Sequence, residues 1–355
     1  MNQVLFTNLD EVKKNLDLNS KKILFLTSEG HIKRRSFDKL QPFIGTKEIL
    51  ISPVEPLPSF KSILNLVEEV KGKKFDFLIS LGGGSVMDTS KALSLLLGNE
   101  DQLWDLFNTE NIGKIKGLKS LKNISHLAIP TTSGSGAEAT SFSTIWNFEE
   151  STKYSLENSC LVPSFVLIDD IFLNTLNFDN TLYPGLDALS HCFDTLLNVN
   201  NTPESIEFSK NAIKLFDTSF LDLIKSLDNS KLRINIHKAS YEAGKAINLN
   251  KTSITHALSY ALTMKYNVPH GLACAIFIKP IFDLFNDKIS KLHTFEYIEK
   301  IYEIVNSLDL NLELNKYTKK IDNNIYDLTT VADRLKNFIF NFQKSDIQIV
   351  LKKIN

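Results

Sequence analysis

"FDFLISLGGGSVMDTSKALSLLLG" spans residues 75–98, and its reading decides the fold. Phe75 to Leu81 is a mainly apolar run of the length of a buried strand. Gly82, Gly83, Gly84 and Ser85 follow, and residues 85–98 then carry helical periodicity. A strand that runs straight into a helix needs a crossover before it meets its neighbour, which predicts a parallel sheet. The glycines allow close approach of the backbone, and the N–H groups of a turn and a helix start can receive a phosphate. A tight turn with no ligand carries the same signature. Ser85 suits an N-cap, with Asp88 three residues later placed to cap reciprocally. The dinucleotide pattern G-x-G-x-x-G is not met, because Met87 stands at its third glycine.

The same alternation extends outward from this stretch. KKILFLTS (21–28), EILISP (48–53), SHLAIP (125–130) and SFVLID (164–169) read as further strands, with helices such as 59–72 between them. Past Asp170 the strand signal nearly vanishes. Residues 203–228, 236–249, 294–307 and 327–341 show Ile, Leu and Phe every three or four positions. The expectation is an α/β domain over 1–172 and an all-helical domain over 173–355.

The 355 residues carry 23% charged and 43% hydrophobic side chains and a formal net charge of −1. That balance gives no global basic field for nucleic acid or an anionic membrane, so neither is expected as a partner. The longest apolar run, Leu272 to Phe285, is broken by Lys279 and Pro280 and is too short to span a bilayer. The opening MNQVLFTNLDEVKKNL has the pattern of neither a signal nor a transit peptide. Cys160, Cys192 and Cys274 lack CxxC spacing, as expected of a reduced, cytoplasmic protein.

Two further segments carry chemistry. Pro130 to Glu138, PTTSGSGAE, follows a strand and is dense in hydroxyls and glycines. Two such loops at the carboxyl ends of parallel strands lie where open α/β sheets bind ligands. In the helical half, GLDALSHCFDTLLN (185–198) sets Asp187 and His191 four apart, on one helix face. Read alone, that spacing is better explained by an ordinary Asp–His helix pair. His256 and His270, in SITHALSYALTMKYNVPHGLACA (253–275), lie in an otherwise apolar segment. Together these residues supply the count for a site of one carboxylate and three imidazoles, suited to Fe²⁺ or Zn²⁺.

GGGSVMDTSKAL, PTTSGSGAEAT, GLDALSHCFDTLLN and THALSYAL…NVPHG stand in the order and spacing of the iron-containing alcohol dehydrogenases, and the chain resembles that family over about residues 20–280. The resemblance implies a dinucleotide-binding α/β domain and a helical metal-binding domain, the dehydroquinate synthase-like fold. It places metal ligands at Asp187, His191, His256 and His270, and the pyrophosphate at Gly82, Gly83, Gly84 and Ser85, with Asp88 beside them. Thr131, Thr132 and Ser135 match residues that line the cofactor's diphosphate, ribose and nicotinamide end. The implied activity is hydride transfer between NAD(P)H and a small alcohol or aldehyde. A lyase or synthase like dehydroquinate synthase, or a polyol dehydrogenase like glycerol dehydrogenase, is the alternative on this fold. A homodimer is the expected assembly.

Several positions depart from the family. Tyr260 stands where many members carry another His, and it is the expected polar partner of the substrate. Asp194 stands where members often carry Glu. The family's opening strands look absent or eroded before residue 20. At the end of strand 21–28, NAD-preferring members often place Asp, whereas this chain has Ser28, followed by Glu29, Gly30 and His31 and then by Lys33, Arg34 and Arg35. That leans toward NADP, although a solvated basic helix start reads the same way. Lys251, five residues before His256, would suit an anionic aldehyde, although a surface-loop Lys capping a helix start reads the same way; the AINxxKT…HALSYALT wording is similar to the phosphonoacetaldehyde reductase branch.

Overall fold

The computed structural model describes residues 3–44, 48–55, 57–70, 72–147, 152–173, 176–322, 325–326 and 332–354. They group into two compact units, Met1–Thr132 with Ala137–Thr175, and Ser133–Gly136 with Leu176–Asn355.

The first unit is built on strands β1 (Val4–Phe6), β2 (Lys22–Ser28), β3 (Glu48–Val54), β4 (Phe77–Gly82), β5 (Ser125–Pro130), β6 (Phe142–Asn147), β7 (Thr152–Glu157) and β8 (Phe165–Leu167). Six of them form one sheet in the order β1-β8-β5-β4-β2-β3, all parallel. Ile23, Leu24, Phe25 and Leu26 are buried in succession, as are Leu78 and Ile79. Continuous burial of this kind marks strands covered on both faces. The chain leaves β2 toward β3 at one edge and returns to β4 on the other side of β2. The topological switch point therefore lies between β2 and β4, where such sheets bind ligands. Helix α1 (Gly84–Gly98) follows β4 directly, and it buries Val86, Met87, Leu93 and Leu96.

The second unit contains α2 (Asp179–Leu196), α3 (Pro203–Lys225), α4 (Ser230–Asn250), α5 (Ile254–Tyr266) and α6 (His270–Ala275), followed by further helices to Ile354. Leu186, Leu189, Phe193, Phe216 and Phe220 are fully buried in its core. Among the described residues no helix is long and apolar enough to cross a membrane.

Three expectations are corrected. An opening strand is present: β1 pairs in parallel with β8, Val4 opposite Phe165. It is only three residues long, too short for periodicity to reveal. The antiparallel pair β6–β7 adds two strands that the pattern does not announce, because they mix polar and apolar residues on both faces. Residues 327–341 do not form one helix. Within that span 327–331 lie outside the described residues, Ala332–Leu335 forms a single helical turn, and Phe338 bridges to Asn198. The aromatic spacing there serves a cluster instead, with Phe338, Phe340 and Phe342 packed around Phe285.

Candidate metal centre and cofactor loops

In the second unit, α2 sets Asp187, His191 and Asp194 on one face at spacings of four and three. Helix α5 carries His256. It ends at Asn267, whose left-handed backbone (φ 53°) turns the chain, and Pro269 then leads into α6 with His270 as its first residue. Gly271 makes the approach of α6 to α2 possible. A Cβ there would lie 1.8 Å from the Tyr183 carbonyl oxygen, so any side chain would push His270 away from Asp187.

The result is convergence on one oxygen. Asp187 Oδ1 lies 3.7 Å from His191 Nε2, 3.4 Å from His256 Nε2 and 3.8 Å from His270 Nε2. The His191 and His256 rings stack at 4.7 Å between centroids. Donors held about 2.0–2.1 Å from one ion in a tetrahedron lie about 3.4 Å apart, so these spacings suit a shared divalent cation. Asp187 Oδ1 and His256 Nε2 are buried without a hydrogen-bond partner, a costly state that an ion would relieve. The residues present therefore fit a metal.

Asp194 is the residue that sequence reasoning undervalued. Its carboxylate is fully buried and accepts from His256 Nδ1 at 2.8 Å, from Ser253 N at 2.7 Å, and from Thr255 N and Oγ1 at 3.0 and 2.9 Å. By holding Nδ1, it fixes the His256 ring so that Nε2 faces Asp187. Its signal was present in the sequence, three residues after His191 and seven after Asp187 on the same face.

The electrostatics follow from burial and pairing. Burial alone would raise Asp187, but His191, His256 and His270 hold it well below the usual carboxylate range. Burial pushes His191 down to about 4, against the pull of Asp187. For His256, burial is outweighed by Cys274, Asp187 and Asp194, which hold it well above the ordinary imidazole value.

In the first unit, the carboxyl ends of β2, β4 and β5 bring three segments together. Gly82 pairs with Pro130, and Thr131 N donates to the Gly82 carbonyl at 2.9 Å. A Cβ on Gly83 would stand 3.1 Å from Thr132 Oγ1, so the glycine turn and the second loop adjoin closely. The N-cap of α1 is Gly83 and not Ser85, and no side chain caps it. Ser85 sits inside the first turn, where its Oγ accepts from Leu57 N at 3.1 Å. Asp88 makes no reciprocal cap either. Its carboxylate meets buried Lys91 at 3.1 Å and accepts from Thr144 N at 3.1 Å. No side chain caps the N–H groups at residues 83–85, which a helix start leaves without intrahelical partners.

Ser28 ends β2 and caps the short helix Glu29–Lys33. His31, buried in that helix, contacts Ser36 Oγ at 2.9 Å and Thr131 Oγ1 at 3.2 Å. Burial pushes its pKa down to about 4. This link between residues one hundred apart has no signal in the sequence. Lys33 pairs with Glu29 and Arg35 with Asp38, so two of the three cations near Ser28 are already engaged. Ser135 falls in the short segment Ser133–Gly136 that groups with the second unit, unlike Thr131 and Thr132.

The family model of the iron-containing alcohol dehydrogenases matches residues 2–170, and that of the family's C-terminal region matches residues 181–339. The chain belongs to this family. It is 29% identical over 323 residues to an NADPH-dependent butanol dehydrogenase of Clostridium saccharobutylicum, covering 87% of this chain and 80% of that one. It is 28% identical to a phosphonoacetaldehyde reductase of Streptomyces viridochromogenes, over 68% of this chain and 60% of that one. The crystal structure of an iron-containing alcohol dehydrogenase from Thermotoga maritima superposes with a TM-score of 0.80 at 26% identity, covering 100% of this chain and 98% of that chain. The chain is therefore an oxidoreductase of the alcohol dehydrogenase type, in a family whose members use a divalent metal and NAD(P).

Tyr260 and Lys251 lie on α5 and at the end of α4. Tyr260 lies four residues after His256, on the same face of α5, with the Arg334 guanidinium 4.8 Å from its ring centre. Lys251 ends α4 with a positive φ of 65°, and its carbonyl accepts from Asn198 Nδ2 at 3.1 Å. The structure thus assigns Lys251 a backbone role at the turn that leads to Ser253 and Thr255.

Proposed function

We propose that this chain reduces a small anionic aldehyde with NADPH, using a divalent metal held by Asp187, His191, His256 and His270. The observation that carries the metal reading is the orphaned Asp187 Oδ1, faced by three imidazole nitrogens at 3.4–3.8 Å. When bound, the metal supplies Lewis-acid polarisation of the carbonyl and the nicotinamide supplies hydride.

The protein's own groups do the rest. Asp194 holds His256 in one tautomer and orientation. Gly82, Gly83, Gly84 and Ser85 present backbone N–H groups at the start of α1 to the pyrophosphate, and Thr131 and Thr132 add hydroxyl groups to the cofactor site. Tyr260, one turn from His256, is the polar partner of the substrate. Ser28 in place of a carboxylate supports NADPH, since the acidic residue that follows it, Glu29, is paired with Lys33. The NADPH-dependent butanol dehydrogenase among the relatives points the same way. The phosphonoacetaldehyde reductase, together with the Arg334 guanidinium beside Tyr260, supports an anionic substrate.

The test is a steady-state comparison of NADPH and NADH over butyraldehyde and phosphonoacetaldehyde, with Fe²⁺ or Zn²⁺ supplied. The expected result is stoichiometric NADPH consumption with the larger kcat/KM for the phosphonate. Equal values for the two aldehydes defeat the anionic reading. Catalysis without net cofactor turnover defeats the dehydrogenase reading.

A further inference from the structure

Cys274 is fully buried and lies four residues after His270 on α6, so the two side chains share a face. Its Sγ lies 3.8 Å from His270 Nε2 and 3.9 Å from His270 Nδ1. One donor atom from each of Asp187, His256, His270 and Cys274 can be chosen so that all four lie within 4.8 Å of one another. Two of the buried donors in this cluster, Asp187 Oδ1 and His256 Nε2, have no hydrogen-bond partner.

Cys160 behaves differently. It donates to the Leu121 carbonyl at 3.1 Å, an ordinary thiol contact. The Cys274 thiol instead faces an imidazole ring at long range. A nitrogen about 2.05 Å and a sulfur about 2.3 Å from one five-coordinate ion lie about 3.1 Å apart at a bond angle of about 90° and about 3.8 Å apart at about 120°. The observed 3.8 Å matches the wider angle.

We propose that Cys274 is a fifth protein donor to the divalent ion of this centre. This rests on the metal reading above and adds a soft ligand to it. Coordination forms one sulfur–metal bond and releases the thiol proton to solvent, and nothing is oxidised. A thiolate beside the Asp187 carboxylate balances both charges of a divalent ion. It also shifts preference toward Zn²⁺ over the harder Fe²⁺.

The test uses the full chain, stripped and reloaded anaerobically with Co²⁺ alone, with bound cobalt measured directly. The Cys160→Ser/Cys192→Ser double variant retains Cys274 as its one cysteine. It is expected to hold one Co²⁺ per chain and to show the intense near-ultraviolet sulfur-to-cobalt charge-transfer band. Cys274→Ser is expected to keep the cobalt with its weak visible bands and to lose the charge-transfer band. The Zn²⁺-over-Fe²⁺ occupancy of Cys274→Ser, loaded from an equimolar mixture, should fall several-fold. Bound cobalt without the charge-transfer band in the double variant overturns the role of Cys274 and leaves the four-ligand site standing. Failure of the unmodified chain to bind cobalt overturns the metal reading, and this proposal with it.

Discussion

The first unit offers a ligand its backbone, whereas the second offers side chains. At the ends of β4 and β5 the useful groups are the N–H donors at residues 83–85, where no side chain caps α1 and the glycine at 83 lets Thr132 come close. In α2, α5 and α6 the useful groups are a carboxylate and imidazoles, and the backbone serves only to bring them close. The first kind of site should be vulnerable to added atoms and the second to removed ones.

Asp187→Ala tests the second half of that contrast most severely. It removes the oxygen on which three imidazoles converge, and kcat/KM should fall by roughly 10³-fold or more, about 4 kcal/mol. Bound metal, measured by elemental analysis, should fall with it; full metal retention would break the assignment. Asp194→Asn leaves every proposed ligand in place but weakens the acceptor for His256 Nδ1. Metal affinity in a chelator competition should drop about 10–100-fold. An unchanged affinity would mean that the His256 ring is held by packing alone.

Gly83→Val tests the backbone half. Its Cβ would already stand 3.1 Å from Thr132 Oγ1, and the two further methyls crowd that hydroxyl and cover the N–H groups. KM for NADPH should rise about tenfold, a loss of about 1.4 kcal/mol, with bound metal unchanged. A loss of metal with no change in KM would reverse the comparison.

The smallest effect concerns stability. His126 is buried beside Ser80 Oγ at 2.7 Å, and burial first, then Lys91, push its pKa down to about 3. A folded-state value below the unfolded value of 6.5 means that the unfolded chain binds the proton first. The neutral ring's stabilisation is therefore intact well above about pH 6.5 and lost as pH falls toward about 3. Between about pH 7 and pH 6 this group should cost about 0.7 kcal/mol. Urea unfolding at the two pH values should show a drop that is smaller by that amount in His126→Gln.

The same contrast explains what was legible in the sequence. Strands such as 22–28 and 125–130 announce themselves because burial on both faces leaves no polar alternation. The glycine turn is equally plain, since three glycines in a row have few other uses. Pairs within one helix, Asp187 with His191, can be read from spacing. Their meeting with His256 and His270 depends on Gly271, whose role emerges only when Tyr183 lies across from it. The His31–Thr131 contact and the bonds of Asp194 are products of tertiary folding. Residues 327–341 mislead for a related reason, because an aromatic cluster mimics helical spacing when viewed in one dimension.

Strand β1 carries a consequence for how the chain is made. Val4, Leu5 and Phe6 pair with Phe165, Val166 and Leu167, so among the described residues the first strand finds its ladder partner about 160 residues later. During synthesis from the N-terminus, β2, β3, β4 and β5 can associate while β1 still waits, its apolar residues unsatisfied. Closing the sheet at that edge is a late, high-contact-order event, sensitive to anything that occupies the exposed side of β5 first.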